Sequence, residues 1–254
     1  MPLTNKSEKT ISNTWDRVWK EIPILPWEKD FISQLVYRAV DQEIGNAQKL
    51  NILEAGCGTG RISIRLANGE RSVTLLDSSV AALRLAQKFA QGNNTNIAFV
   101  NNSIYNICFR DNSFDVVWNA GVLEHFYEDE QRTIVNEMFR VCRESGTIII
   151  LVPYSKAVLY RIGKWMREKL NLWKVGREVP LKTLKNMKPA NGQLIREYVI
   201  GTSEQTFLLP KGFKKITKAF LDGLIRLGFG NSLQKLIGGY LLVSVFEKME
   251  NGNQ

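Results

Sequence analysis

The sequence predicts an α/β fold, built on an open three-layer sheet of mainly parallel strands with helices on both faces. Short apolar runs alternate with amphipathic helical stretches between residues 50 and 153. This alternation is typical of parallel strands joined by helical crossovers. A glycine-rich turn directly follows the first apolar run. Because ligands of such sheets bind beyond the carboxyl ends of the strands, we expect the functional site there.

The individual elements follow from the spacing of apolar residues. Two amphipathic helices, separated by Pro23 and Pro26, are predicted within residues 8–41. Strands are predicted next at residues 50–55, 73–76, 97–100, 114–118 and 147–152, with helices at 61–66, 80–89 and 130–142 between them. After Pro153 the alternation weakens, and the patterns predict a basic amphipathic helix at 156–173, a strand at 194–202, a helix at 214–227 and a strand at 240–246.

Composition limits the class of protein. The chain has 254 residues, of which 44% are hydrophobic and 23% charged, as in an ordinary globular protein. The longest apolar runs fall short of the roughly 20 residues that a membrane-spanning helix needs, and the first ten residues lack the apolar segment of a secretory signal. The three cysteines form no CxxC pair, which argues against a disulfide framework or a zinc site. We therefore expect a reduced, cytoplasmic compartment.

The net charge of +9 is concentrated in one part of the chain. Residues 151–220 contain 15 lysines and arginines against 4 acidic residues, whereas residues 1–150 contain 16 against 18. Such a basic segment indicates contact with an anionic substrate, a lipid surface or nucleic acid. The alternative is a solvated basic face.

The glycine-rich turn carries the main functional signal. Gly56, Gly58 and Gly60 lie between a predicted strand and a predicted helix, and Glu54 precedes them. Glycines there let the backbone turn tightly and approach a ligand. Asp77 ends the second predicted strand, where an acidic side chain can accept hydrogen bonds from ribose hydroxyls. The alternative is a turn required only for packing.

With these residues, and with the stretch FRDNSFDVVWNAGVLEHF at 109–126, the chain resembles class I S-adenosylmethionine-dependent methyltransferases over about residues 51–154. The resemblance implies a Rossmann-like, mostly parallel, seven-stranded sheet that binds S-adenosyl-L-methionine. It also implies that the three glycines wrap the methionine end, Asp77 holds the ribose and Asn119 lies beside the methionine. The cofactor-binding residues predicted in this way are Glu54, Gly56, Gly58, Gly60, Asp77, Ser78, Ser103, Ile104 and Asn119. No metal site is predicted.

Ser103 departs from the family pattern. It stands where the family usually has an aspartate facing the adenine amine. A serine hydroxyl can still donate or accept a hydrogen bond. Even so, we expect weaker cofactor binding with serine than with the usual aspartate. It also leaves open a catalytically silent methyltransferase-like binding protein.

Methyl transfer to a nucleophile is an in-line displacement, so alignment of the two reactants can supply about 7 to 11 kcal/mol. A base is needed only when the acceptor arrives protonated. His125, the only histidine of the chain, follows the fourth predicted strand and is the candidate base, with a scaffold role as the alternative. Cys57 lies between two glycines and is interpreted as a small packed side chain, not as a nucleophile.

The acceptor is less defined. Residues 119–121, Asn-Ala-Gly, stand where enzymes that methylate base amines have a Pro-Pro-aromatic element. We therefore expect a small-molecule acceptor, anionic or lipid-like. An RNA methyltransferase is the alternative, although nucleic acid is not the expected partner. The oligomeric state is left open.

These expectations divide the chain into three parts. Residues 1–45 are expected to form a helical lid, in which Trp15 and Trp19 close over the cofactor or belong to the core. Residues 46–153 form the cofactor-binding core, and residues 154–254 supply a basic substrate-side insertion and the last strands of the sheet. The helix at 156–173 places cations around an apolar stripe, which predicts weak contact with an anionic membrane or packing on the sheet edge; these cations are Lys164, Arg167 and Lys174.

Overall fold

The structure is a computed structural model that describes residues 5–21, 24–47, 49–92 and 96–250. Its strands are β1 (Leu50–Ala55), β2 (Arg71–Asp77), β3 (Ile97–Asn101), β4 (Phe114–Ala120), β5 (Cys142–Pro153), β6 (Gly192–Ile200) and β7 (Leu241–Lys248). The α-helices are α1 (Asn5–Glu21), α2 (Phe31–Ile44), α3 (Arg61–Leu66), α4 (Val80–Ala90), α5 (Glu128–Val141), α6 (Val158–Lys169), α7 (Lys211–Leu224) and α8 (Gly230–Ile237).

The strands form one sheet in the order β3-β2-β1-β4-β5-β7-β6. Strands β1 to β5 pair in parallel, whereas β7 pairs antiparallel with both β5 and β6. The chain order reverses between β1 and β4, and in open α/β sheets a ligand crevice forms beyond the carboxyl ends of the strands at such a point. The expected seven-stranded, mostly parallel, Rossmann-like fold is thus confirmed.

Two apolar layers cover the sheet. On one face, Ile134 and Met138 of α5 pack against buried strand residues, and on the other face Val40, Ile64 and Leu83 do so from α2, α3 and α4. The strands read as continuous apolar runs because both faces are covered. The predicted strands agree with the observed ones to within a few residues, apart from β5, which begins at Cys142.

Two helices after Pro153 differ from their predictions. Helix α6 ends at Lys169, and Asn171 just beyond it has a φ of 54°, a left-handed conformation that often ends helices. The predicted helix at 214–227 is α7 followed by a wide turn at Ile225–Phe229, where Gly228 has a φ of 90°. This kink turns the chain into α8, which was not predicted. Across the described ranges, every helix is too short or too polar to cross a membrane.

Candidate active site

A cavity of about 1850 Å³ lies beyond the carboxyl ends of β1, β2 and β4. Its walls come from the glycine-rich turn, the ends of these strands, α1, α6 and the segment that follows α6. Ordinary small-molecule sites measure roughly 300 to 1000 Å³. The cavity therefore has room for two ligands side by side.

The glycine-rich turn forms the floor of the cavity. The amides of Gly56 and Cys57 both donate to the carbonyl oxygen of Leu76, at 2.8 and 3.0 Å. Gly58 has a φ of 52°, and a Cβ there would lie 2.5 Å from the ring of Trp19. Gly60 also has a positive φ, but its Cβ would meet Leu75 and it does not line the cavity. Gly60 therefore serves the packing of the turn, while Gly56 and Gly58 line the cavity.

Asp77 stands at the end of β2 and lines the cavity. Its Oδ2 accepts a hydrogen bond from the amide of Gly58 at 2.8 Å, and its Oδ1 accepts one from the amide of Ser79, also at 2.8 Å. Burial raises the pKa of this carboxyl, against the effect of the two amides. Asp77 thus joins the glycine turn to the start of α4. Ser78 lines the cavity beside it.

The predicted adenine side of the cavity is polar. Ser103 and Ile104 line it, together with Asn101 and Asn102, which sequence reasoning did not select. The Nδ2 of Asn101 donates to the carbonyl oxygens of Asp77 and Ser78, both at 3.0 Å. Asn101 and Asn102 directly precede Ser103 in the sequence, so their polar side chains could have been selected as candidate cofactor contacts.

Asn119 takes a different position from the one that the resemblance implies. Its side chain is fully buried, and its Nδ2 lies 3.3 Å from the sulfur of Met138 in α5. Ala120 and Gly121 line the cavity in its place. The polar group of Asn119 therefore points into the core.

Glu54 and Glu124 are buried carboxyls that both line the cavity. In the described part of the chain, Oε2 of each has no hydrogen-bond partner. Burial raises the pKa of each carboxyl to about 8. A buried acceptor without a partner is costly, so both positions are suited to a cationic or hydrogen-bond-donating ligand.

His125 belongs to the short 3-10 helix Leu123–His125 that follows β4, and it lines the cavity. Its Nδ1 lies 2.7 Å from the carbonyl oxygen of Arg177. A carbonyl can only accept, so Nδ1 carries the proton and Nε2 of the neutral ring is the acceptor. Nε2 lies 3.9 Å from Oε1 of Glu124. Burial lowers the pKa of His125, which favours the neutral ring at pH 7.

Helix α1 lies across the cavity. Oδ1 of Asp16 accepts hydrogen bonds from the hydroxyl of Ser79 at 2.5 Å and from the amide of Ala81 at 3.1 Å. The ring of Trp15 meets His125 edge to face, with centroids 5.0 Å apart. With Trp19 against Gly58, the helix contacts both the glycine turn and the histidine end.

A buried group formed by Glu178, Tyr160 and Arg161 lies at the cavity wall near α6. The side chain of Glu178 accepts a hydrogen bond from the hydroxyl of Tyr160 at 2.5 Å and forms an ion pair with Arg161. Tyr240 packs on Tyr160, and both rings line the cavity. Sequence reasoning missed these residues. Glu178 could have been singled out because it is one of only four acidic residues in the basic segment, residues 151–220.

Two further sequence-based interpretations concern Cys57 and the cations after Pro153. Cys57 is buried, and burial raises the pKa of its thiol well above the usual value, so the packed, unreactive interpretation fits. Lys164 is wrong as a surface cation: it is 8% exposed, forms an ion pair with Glu168 and lies over the ring of Trp173. Lys174 lies 3.4 Å from Glu21 of α1.

Comparison with known proteins agrees with this geometry. Residues 52–146 match the family model described as a methyltransferase domain. The sheet order, the glycine turn and this match identify residues 52–146 as a class I S-adenosylmethionine-dependent methyltransferase domain, whose cofactor is S-adenosylmethionine.

Individual relatives share much of the chain. A ubiquinone biosynthesis O-methyltransferase of Rickettsia typhi is 27% identical over 68% of this chain and 71% of its own length. The corresponding protein of Rickettsia felis is 26% identical over 59% of this chain and 61% of its own length. The chain thus spans about two thirds of these relatives. Magnesium protoporphyrin IX methyltransferase from Synechocystis, solved with S-adenosylhomocysteine, shares the fold, with a TM-score of 0.59, 16% identity and 95% coverage of both chains.

Proposed function

We propose that the protein methylates a hydroxyl group of a small-molecule acceptor, with His125 as the base. The observation that carries the proposal is the tautomer of His125, whose Nδ1 is held by the carbonyl of Arg177 at 2.7 Å. This contact leaves Nε2 free to accept a proton inside the cavity. The name of the Rickettsia relatives, O-methyltransferase, supports the same type of acceptor.

The residues of the cavity fit the cofactor. S-adenosylmethionine supplies a methyl group activated by a sulfonium, next to an ammonium and a carboxylate. The unpartnered carboxylate oxygen of Glu54 suits this positive charge, and Gly56 and Gly58 let the backbone of the turn line the cavity without a side chain. We assign Asp77 and Ser78 to the ribose, and Asn102, Ser103 and Ile104 to the adenine.

The acceptor occupies the remaining half of the cavity, near His125. Its walls there combine aromatic rings with a few buried polar groups, a composition suited to an apolar ring that bears a hydroxyl. As the oxygen attacks, Nε2 of His125 takes its proton. The imidazolium that forms keeps its Nδ1–H bonded to the carbonyl oxygen of Arg177, 2.7 Å away. Tyr160, Phe207 and Tyr240 exclude water from this end.

The test is turnover with defined acceptors. Purified protein is incubated with S-adenosylmethionine and, separately, with catechols, polyprenylated hydroxybenzoates, hydroxy fatty acids and total RNA, and S-adenosylhomocysteine is quantified. We expect turnover with a phenolic small molecule, and mass spectrometry should place the methyl on oxygen. Methylation of RNA alone, or of a nitrogen, would contradict the proposal.

A further inference from the structure

The outward side of α7 is apolar. Phe213, Ile216 and Phe220 recur at helical spacing and are 71%, 74% and 64% exposed. The helix buries a single large side chain, Leu221, against the rest of the protein. An amphipathic helix ordinarily turns its apolar stripe inward. Here the stripe faces solvent.

Exposed apolar residues also follow α7 in the sequence. Leu227 and Phe229 of the wide turn and Leu236 of α8 are also exposed, the last at 77%. Single exposed apolar residues are common on protein surfaces and need no explanation. Six such residues between positions 213 and 236 are a concentration of exposed apolar surface, which is the kind of surface that marks interaction sites.

The same segment carries several cations. Lys211, Lys214, Lys215, Arg226 and Lys235 lie on the same two helices and the turn between them, and none forms a salt bridge with a carboxylate of the described residues. Lys218 is the contrast: its Nζ is held inward by Ser203 and by Asp222, both at 3.0 Å. Asp222 is the only acidic residue between positions 211 and 237.

We propose that this surface binds the anionic headgroup layer of a phospholipid membrane. The "α7–α8 surface" comprises the six apolar residues Phe213, Ile216, Phe220, Leu227, Phe229 and Leu236 with the five cations Lys211, Lys214, Lys215, Arg226 and Lys235. Apolar side chains enter the boundary between headgroups and acyl chains, and lysines and arginines at the rim attract anionic lipids.

Charge argues against a second copy of the chain as the occupant. A symmetric dimer places the same patch on both sides of the interface. Cations would then face cations, and only Asp222 could offset them, although it is already held by Lys218. An anionic bilayer complements the patch without this repulsion.

The surface adjoins the cavity. Lys218 of α7 bonds to Ser203, directly before the short 3-10 helix Glu204–Leu208. Phe207 and Leu208 of that helix line the cavity. Membrane contact at α7 and α8 would therefore place the acceptor half of the cavity close to the bilayer. The proposal does not depend on the identity of the acceptor, because binding is measured without turnover.

Vesicle sedimentation of the full chain tests the proposal. Phosphatidylcholine vesicles with and without 30 to 40% phosphatidylglycerol are compared at roughly 50 and 500 mM salt, a range over which screening removes most surface attraction. We expect binding to the anionic vesicles at low salt, at least tenfold weaker at high salt and on neutral vesicles.

Two sets of variants separate the contributions of the surface. Phe213→Ser with Ile216→Ser and Phe220→Ser, and separately Lys214→Glu with Lys215→Glu, should each weaken binding at least tenfold. The matched controls are Phe31→Ser, an exposed phenylalanine of α2, and Arg38→Glu with Lys88→Glu, exposed cations elsewhere. These controls should bind like the unaltered chain, and circular dichroism confirms that every variant is folded.

Three results would overturn the proposal. The first is recovery of the unaltered chain in the supernatant under every condition. The second is equal loss of binding in the controls. The third is a dimer, seen by sedimentation velocity without lipid, that the Phe213, Ile216 and Phe220 substitutions dissociate. If the proposed hydroxyl methylation is wrong but this inference is right, vesicle binding persists whichever acceptor is found.

Discussion

The carbonyl oxygen of Arg177 lies 2.7 Å from Nδ1 of His125, and this contact decides which nitrogen of the only histidine can take a proton. The two residues are 52 positions apart, in the 3-10 helix after β4 and in the segment after α6. If His125 is the base, as proposed, the basic segment positions it through a backbone carbonyl oxygen.

Replacement of the histidine tests its role as the base. His125→Asn should lower turnover by roughly 100-fold or more, because general base catalysis typically contributes that much. Cofactor affinity should not change, since we place the ring on the acceptor side. Turnover and calorimetric binding of S-adenosylmethionine are measured on the same preparation. Reduced thermal stability with normal turnover per folded molecule would assign His125 to the scaffold.

The pH dependence follows from the same residue. Burial lowers the pKa of His125 below its usual 6.5. With S-adenosylmethionine saturating, so that ionisation of Glu54 does not limit the reaction, the neutral base should persist to mildly acidic pH and kcat/KM for the acceptor should fall only below pH 6.5. Loss of activity that begins well above that pH in the unaltered protein would contradict the assignment.

Asp77→Ala should weaken binding of S-adenosylmethionine at least tenfold while the fold survives. The substitution removes the carboxylate that we assign to the ribose hydroxyls, and a hydrogen bond to a charged group is worth about 1.5 to 3 kcal/mol. It also removes acceptors for the amides of Gly58 and Ser79. Circular dichroism of the variant is the control for folding, because both side-chain oxygens accept from backbone amides. Unchanged affinity in the alanine variant would reject the assignment.

Binding of S-adenosylmethionine should release a proton from Glu54. Burial raises the pKa of its carboxyl to about 8, so the side chain is mostly protonated at pH 7. A sulfonium or ammonium placed beside it favours the ionised form, so cofactor binding should release a proton. Calorimetry in buffers of different ionisation enthalpy measures this release at pH 7. Glu54→Gln should abolish it, and an identical heat in every buffer would show that Glu54 does not meet the cofactor.

The stability of the ligand-free protein should fall with rising pH because of Glu54 and Glu124. The folded pKa of each, about 8, lies above the ordinary 4.5, so between these values the folded state holds protons that the unfolded state has lost. Stability is highest below pH 4.5 for these two groups and declines up to about pH 8. Thermal melts over this window should show a shallower slope for Glu124→Gln. An unchanged slope would mean that the carboxyl is ionised at neutral pH.

The Arg161 and Glu178 pair tests the far wall of the cavity. Arg161→Met leaves the carboxylate of Glu178, 2% exposed, without its cation. Breaking a buried ion pair typically destabilises a protein by about 3 to 5 kcal/mol. Chemical denaturation should show this loss, and Glu178→Gln added to the first substitution should recover part of it. A loss below about 1 kcal/mol would indicate that solvent reaches the pair.

Most of the fold could be predicted from the sequence because the buried strands are continuous apolar runs with glycine, asparagine or aspartate at their ends. The glycine turn and Asp77 are close in sequence to the strands that place them, so local patterns located them. Asn119 is buried because alternate residues of β4 face opposite sides of the sheet and its Nδ2 lies against the sulfur of Met138, and its place beside the methionine stays a prediction.

The acceptor end depended on contacts that no local pattern encodes. Glu124 and Glu178 are 54 positions apart in sequence, yet both line the cavity. The α7–α8 surface could not be predicted from the sequence either. The apolar spacing of α7 predicts a helix, but spacing alone does not reveal which side packs, and here only Leu221 does.

Strand β7 has a consequence for the growing chain on the ribosome. It inserts between β5 and β6, and its register pairs Ile150 with Ser244 across 94 positions of sequence. Until β7 emerges, β5 is an open edge rich in isoleucine, with unpaired amides and carbonyls, and such edges invite pairing between chains. A nascent chain therefore carries this unpaired edge from the synthesis of β5 until that of β7, the period in which pairing between chains is favoured.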